Sequence, residues 1–429
     1  MKKLIIGFTV GFLALFLGLR FFWQTPSVPK DIRMLSQNPR DYALDKEFTP
    51  FQNTFKDALF KPWDQYDPQN VPDYAFDYQI DDYVDASGTL YPESFGKSLS
   101  DNSAVLSYPN SLHKAITVRG TQLRLIPSHD PLYTPLSSPT FGPPFDEAAA
   151  VFVHAYTPIL VYHLTHDEKF ALVSTVQGSA LFWMDVSDFA LVSDEFETAF
   201  RGYALKTPMV DGLFLDLNTQ VFIGGFVPTQ GNFAGIVSKN PLGGYAEILF
   251  KEFPEDLLSA YPLSFSSKQL MAFAASMQGP YIWGGRRDCS SFLRDLFAPF
   301  GLHVKGNSFT QSNTFQSVDV SGFSNSQKKE ALIKQGIPFQ TLVYFPGHIM
   351  LYIGEKDGEP LVLHMVWGLR TRDPFLRSKR YVLGRMVIST LDLGKDFFTV
   401  RFFKMTPLDR MTKIVFLTKP VLEGSTDGD

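Results

Sequence analysis

The sequence is poor in cysteine: Cys289 is the only one in 429 residues. A lone thiol cannot close an intramolecular disulfide, so stability must come from burial, and Cys289 is either an inert buried residue or a thiol kept free for chemistry. Charge is sparse as well. Charged residues make up 19% of the chain and sum to −5, which leaves no basic field to hold a nucleic-acid polyanion and removes that class of partner. Low-complexity tracts are missing, and the only long uncharged apolar run lies at the N-terminus.

What is abundant is apolar and aromatic material, with 45% hydrophobic residues and 41 phenylalanines. That composition is globular, and the length exceeds what one core accommodates, so two to four domains are expected. Met1-Lys2-Lys3 precede an uncharged stretch from Leu4 to Leu19, then Arg20 and Phe21-Phe22-Trp23. Two lysines before an apolar run are the n- and h-regions of an export signal. No small-x-small cleavage site follows, and with Phe21 to Trp23 added the run nears the roughly 20 residues that span a bilayer. Residues 1–23 are therefore read as a signal peptide or a membrane anchor through residues 4–23. Either places the protein outside the cytoplasm, in the periplasm or cell envelope.

Residues 29–105 are polar and aromatic, with a short helical pattern at Phe51, Phe55 and Leu59. From 106 to 200, and again from 201 to 255, short apolar runs alternate with proline and glycine, which predicts two consecutive small all-β barrels. Residues 262–410 have a different character. Ser266 and Gln269 have capping-box spacing ahead of Leu270, Met271, Phe273, Ala274 and Met277, so a helix is expected until Gly279-Pro280 stops it. Phe292, Leu293, Leu296, Phe297 and Phe300 predict a second helix ending at Gly301. Strands are expected in "QTLVYFP", "GHIMLYIG", "EPLVLHMVWG", "GRMVIST" and "FFTVRFFKM", giving an α+β domain. Residues 411–429 read as a C-terminal tail whose end, "EGSTDGD", is loose.

Cys289 stands at the start of the second predicted helix. Unpaired N–H groups and the macrodipole at such a position favour a thiolate, Asp288 can cap the helix, and first-turn N–H groups can hold an oxyanion. A cysteine nucleophile also needs an imidazole and something to orient it. His348 and His364 flank a predicted hairpin turn, "EKDGEP", and their midpoint, (348 + 364)/2 = 356, falls inside it, so both rings should lie near one end of the ladder. Each residue alone also has a bland reading, as a small apolar core residue or a structural histidine. His163 and His166 form an H-x-x-H pair without a nearby third ligand, so no metal is expected there.

Tyr281-Ile282-Trp283-Gly284-Gly285, then Asp288-Cys289-Ser290, then Asn307-Ser308 near Gln311, then "PGHIMLYIG" and "LHMVWG", together resemble the NlpC/p60 cysteine peptidases, a papain-like α+β family that cuts peptidoglycan peptides. The resemblance covers about residues 266 to 400. It implies a multidomain protein: an N-terminal stabilising segment, two bacterial SH3-like barrels and the papain-like catalytic domain. It further implies that Cys289 is the nucleophile, that His348 is the base and later acid, that His364 orients and polarises His348, that Tyr281 sits beside the thiol at the oxyanion site, and that Trp283 is a substrate-binding residue. Asp288, Ser290 and Ser308 fall where relatives hold the free amine of an N-terminal L-alanine. Gly306 stands where such enzymes often carry a basic residue, and Trp183 and Asp146 are candidates for pocket residues from the first barrel.

The implied activity is hydrolysis of the γ-D-glutamyl–diamino acid bond, with diaminopimelate as the expected diamino acid, in stem peptides bearing free L-alanine. No cofactor is required, the partners are peptidoglycan-derived peptides, and a monomer is expected. Three alternatives remain: a non-catalytic wall-binding module, an amidase or acyl transferase, and an endopeptidase acting on intact peptidoglycan.

Overall fold

The computed structural model describes residues 28–45, 48–66, 75–135, 142–178, 180–373 and 377–420. The apolar run at 4–23 and residues 421–429 lie outside them, and the reading of 411–429 as a tail is corrected, because Lys413–Pro420 form a strand paired on both sides within a sheet. Among the described residues no helix is long and apolar enough to cross a membrane. The chain divides into two compact units, one made of 42–314 and the other of the N-terminal residues to 41 together with 315–429.

The first unit holds two larger antiparallel sheets, a two-stranded hairpin and the Cys289 helix. Strands β1 (His113–Thr117), β2 (Thr121–Arg124), β3 (Ala149–Val153), β4 (Pro158–Leu164), β5 (Phe170–Thr175), β6 (Phe182–Asp185) and β7 (Phe189–Leu191) form a seven-stranded sheet in the order β3-β2-β6-β5-β4-β1-β7. β4 and β5 are buried along almost their whole length, as expected for central strands rich in Val, Leu and Ile. A second, five-stranded sheet follows. It comprises β8 (Ala204–Pro208), β11 (Val227–Gln230), β12 (Phe233–Lys239), β13 (Ala246–Glu252) and β14 (Leu258–Ala260) in the order β13-β12-β11-β8-β14, with a separate small hairpin of β9 (Leu213–Phe214) and β10 (Gln220–Val221). Two all-β regions thus stand where the turn-rich sequence puts them, and the second reaches Ala260 because β14 pairs with β8.

Trp63 ties the N-terminal segment to the first sheet: its ring N–H reaches the carbonyls of Ala115 and Ile159 at 2.9 and 3.1 Å. The helix Ser267–Ser276 begins with Ser266 accepting from Gln269 N, as its spacing predicts. The helix Cys289–Phe297 is buried along every face. Phe292, Leu293, Leu296 and Phe297 are fully enclosed, each contributing about 1.5–3 kcal/mol relative to an exposed position.

The second unit is one six-stranded antiparallel sheet: β15 (Phe315–Asp319), β16 (Thr341–Phe345), β17 (His348–Lys356), β18 (Glu359–Arg372), β19 (Ser378–Thr390) and β20 (Lys413–Pro420), in the order β15-β20-β16-β17-β18-β19. Pro346-Gly347, with Gly347 at φ 87°, turns β16 into β17 so that Phe345 faces His348. Asp357-Gly358, both at positive φ, turns β17 into β18, as an Asp-Gly pair does in two-residue hairpins. β19 is an edge strand, and residues before position 41 cover it. The Gln37 amide exchanges two 3.0 Å hydrogen bonds with the Ile388 backbone, and the Asp31 carboxylate accepts from Thr390 N and Oγ1.

One predicted strand is corrected. "FFTVRFFKM" holds a short helix, Phe398–Phe402, because its aromatics also fit the helical period: Phe397 and Val400 are buried while Phe398 stacks on Phe402 one turn later. The polar helices Ser308–Thr314 and Asn325–Gln335 lie in a stretch whose sequence carries no apolar stripe.

Candidate active site

Cys289 is the first residue of its helix, and Asp288 is the cap. The Oδ1 of Asp288 accepts from Ser290 N (2.9 Å), Ser291 N (2.7 Å) and both serine hydroxyls (2.9 Å each), while the Ser291 hydroxyl takes the Asp288 N–H in return. This reciprocal box satisfies orphan donors of the first turn and sets a negative charge on the dipole's positive end. Cys289 itself is only 7% exposed. The buried Gln311 amide donates to Ser290 O at 2.9 Å and Gly306 O at 3.2 Å, joining this turn to the helix that Ser308 opens.

The loop ahead of the cysteine is pressed onto the first sheet. Gly284 has φ +61°, and a Cβ there would lie 2.7 Å from the Ala149 carbonyl oxygen, so only glycine fits. Gln122 donates to Gly284 O at 2.7 Å. Trp283 meets Phe145 edge-on at 5.1 Å. Arg286 makes two 2.8 Å bonds to Asp211 and lies 3.9 Å from the Phe222 ring centre, a buried fork-to-fork pair that fixes the loop end. Tyr281 is partly exposed in the same loop.

The histidines occupy the other unit. Beyond the register shift at Tyr352/Gly354, β17 and β18 pair as Leu351 with Leu363, so His348 and His364 are diagonal neighbours on one face and not directly opposite. His348 Nε2 lies 2.7 Å from His364 Nδ1, and His364 Nε2 lies 3.2 Å from Ser389 Oγ. Ser389 in turn donates to Thr390 O at 2.8 Å. This chain assigns the tautomers. The Ser389 hydrogen is committed, so Ser389 Oγ accepts from His364 Nε2–H; His364 Nδ1 then accepts from His348 Nε2–H, and His348 Nδ1 is left as a lone-pair acceptor.

Burial, with the Arg410 cation as second cause, pushes His348 down to about 3, and burial followed by the His348 ring holds His364 well below the imidazole range. Both rings are neutral at neutral pH. Ser389 went unnoticed in the sequence; once β18 and β19 are paired, its place two residues from Val387, the partner of His364, reveals it.

Other predicted positions resolve differently. Trp183 is fully buried with its N–H on the Ala75 carbonyl, which corrects its candidacy as a pocket residue: it has no surface to offer a ligand. Asp146 accepts from Leu132 N and Ala148 N and pairs with Arg124, holding its own loop. His163 is enclosed, with contacts to Ser103 O and Asn110 N. Gly306 sits at φ +76°, a conformation that a basic side chain rarely adopts.

Residues 278–365 match the model of the NlpC/P60 family. That stretch is similar to the NlpC/P60 family. The matched segment takes in Tyr281, Cys289, His348 and His364 and ends before Ser389. The fold is similar to that of an NlpC/P60 endopeptidase from Photobacterium damselae subsp. piscicida, with a TM-score of 0.81 at 23% identity over 92% of this chain and 100% of that one. A Bacillus cereus NlpC/P60 family protein is also similar, at a TM-score of 0.43 and 13% identity over 71% of this chain and 99% of that one. Comparison with curated proteins returned no match. The family match supports a cysteine-type peptidase or hydrolase.

Proposed function

We propose that the protein hydrolyses the γ-D-glutamyl–diaminopimelate bond of peptidoglycan stem peptides. The observation that carries this reading is the His348–His364–Ser389 chain, which leaves a neutral acceptor nitrogen on His348, in a chain whose only thiol begins a capped helix. The Cys289 proton passes to His348 Nδ1 and the thiolate attacks the γ-glutamyl carbonyl, with Tyr281 at the oxyanion site. The tetrahedral intermediate collapses, the amine leaves with the proton from His348, and a thioester remains. Water, deprotonated by the same nitrogen, releases the glutamyl carboxylate and restores the thiol. His364 holds the His348 ring and Ser389 holds His364. No metal or organic cofactor enters these steps.

A wider reading, drawn from the sequence, has the two sheets serve as SH3-like domains over 106–200 and 201–255, residues 29–105 as a stabilising segment and the region from 262 as the catalytic domain, extended past 410 by β20, with export by way of residues 1–23. Asp288, Ser290 and Ser308, with Trp283 alongside, hold the ammonium of a free N-terminal L-alanine.

A second reading, an endopeptidase on intact wall, is favoured by one observation: Asp288 Oδ1 already accepts four donors as a helix cap, one of them the Ser290 hydroxyl. Mass spectrometry of products from L-Ala-γ-D-Glu-diaminopimelate and from its N-acetylated form separates the two. Cleavage of the free amine alone supports the closed pocket; equal cleavage supports the wall endopeptidase; cleavage of neither, with no difference between wild type and Cys289→Ala on wall material, overturns both.

A further inference from the structure

Arg294 and Asp295 follow Cys289 by five and six residues, on the face where apolar periodicity would place solvent. Both are enclosed instead, at 2% and 1% exposure, and His154, from the turn between β3 and β4, joins them at 2%. Asp295 Oδ1 lies 2.8 Å from Arg294 Nε and 3.0 Å from His154 Nε2, the latter an ion-pair contact and not an aligned hydrogen bond. Among the described residues, Asp295 Oδ2, Arg294 Nη2 and His154 Nδ1 have no hydrogen-bond partner. The Gly224-Gly225 backbone packs closely against the site, because a Cβ on Gly224 would come within 2.7 Å of the Asp295 Cα and one on Gly225 within 3.2 Å of the His154 ring.

A buried charge in a tightly packed interior stays only where its partner is fixed, so this cluster tolerates little rotation or sliding of the helix that carries it. We infer that His154, Asp295 and Arg294 form a clamp that positions the Cys289 helix, with His154 and Asp295 as positioning residues for the thiol. The inference rests on the reading of Cys289 as nucleophile for its catalytic consequence, but not for its geometry. Arg294 and Asp295 are neighbours on one helix, so their pair moves with it; His154, on another segment, is the anchor. Burial alone would raise the Asp295 carboxyl, and the Arg294 guanidinium, with the His154 ring beside it, holds it below the usual carboxylate range.

The test compares wild type, His154→Gln, Asp295→Asn and the double variant in the full chain. Two readouts are used: kcat and KM on the stem tripeptide, and the pH profile of iodoacetamide alkylation, which reports on Cys289 alone because no other cysteine exists. His154→Gln leaves the Arg294–Asp295 pair in place and so preserves the fold by circular dichroism, and it decides the matter if Asp295→Asn does not fold. The clamp predicts that His154→Gln lowers kcat about tenfold or more with KM within about threefold and displaces the alkylation profile, and that the double variant is no worse than Asp295→Asn alone. A folded His154→Gln with kcat and alkylation both within twofold of wild type overturns it. Cys289→Ala, run alongside, keeps the two readings apart: if it still turns over substrate the nucleophile assignment fails, while a displaced alkylation profile in His154→Gln continues to support the clamp.

Discussion

The hydrogen-bond chain from Thr390 O through Ser389 and His364 to His348 ranks the side chains by consequence. Cys289→Ala and His348→Ala remove the reacting atoms and should lower kcat at least about 10³-fold with an unchanged circular dichroism spectrum. His364→Ala and Ser389→Ala only unfasten the base. Ser389→Ala takes away the acceptor of His364 Nε2–H, freeing the tautomer choice, and a fall in kcat of about tenfold with KM within about threefold is expected in steady-state assays of the stem tripeptide. Full activity in Ser389→Ala would detach it from the relay. Residue type and spacing point to Cys289, His348 and His364, and the family resemblance adds Tyr281. Ser389 was not, because a serine in an apolar strand has no meaning until the strand's partner and register are known.

Among the elements, strands with unbroken apolar runs were readable: β16 through β19 fall on the segments that their Val, Ile and Leu content marks. The helix Phe398–Phe402 was not, since strand-forming aromatics also met the helical period over a segment too short to decide. The Asn325–Gln335 helix had its signal in Ser324 and Gln327, which form a reciprocal capping box, although the body of the helix is polar. The Cys289 helix hides its charged face in the interior, where periodicity cannot place it because paired ions override the rule that charges face water. Two predictions belong to this scale. Asp288→Ala should lower stability by about 1–2 kcal/mol in chemical denaturation through loss of the cap. Gly284→Ala should lower it by about 1–3 kcal/mol, because the left-handed backbone and the Ala149 carbonyl both oppose a Cβ.

For the whole molecule, acid should weaken the fold. Burial pushes His303 down to about 4, against the Val176 carbonyl and with help from the Lys305, Lys61 and Arg294 cations, and His348 lies near 3. Above about pH 6.5 folded and unfolded chains carry these rings alike as neutral groups, so they contribute no pH dependence. As pH falls below that value the unfolded chain takes up protons that the folded chain refuses, and stability drops until the folded values near 4 and 3 are reached. Thermal midpoints measured from pH 7.5 to 4.5 should fall, and should fall less in His303→Gln, whose amide can still donate to Val176 O. A flat profile would show that these rings are not held neutral.

The covering of β19 by Gln37 and Asp31 has a further effect. A thirteen-residue edge strand with free N–H and C=O groups is a template on which another copy can add a strand. The Gln37 amide imitates a neighbouring strand at one point, accepting from Ile388 N and donating to Ile388 O, and Asp31 closes the next outward N–H at Thr390. Asp31 and Gln37 therefore act as a stop to sheet growth at the C-terminal end of β19, where an added strand would have to displace them.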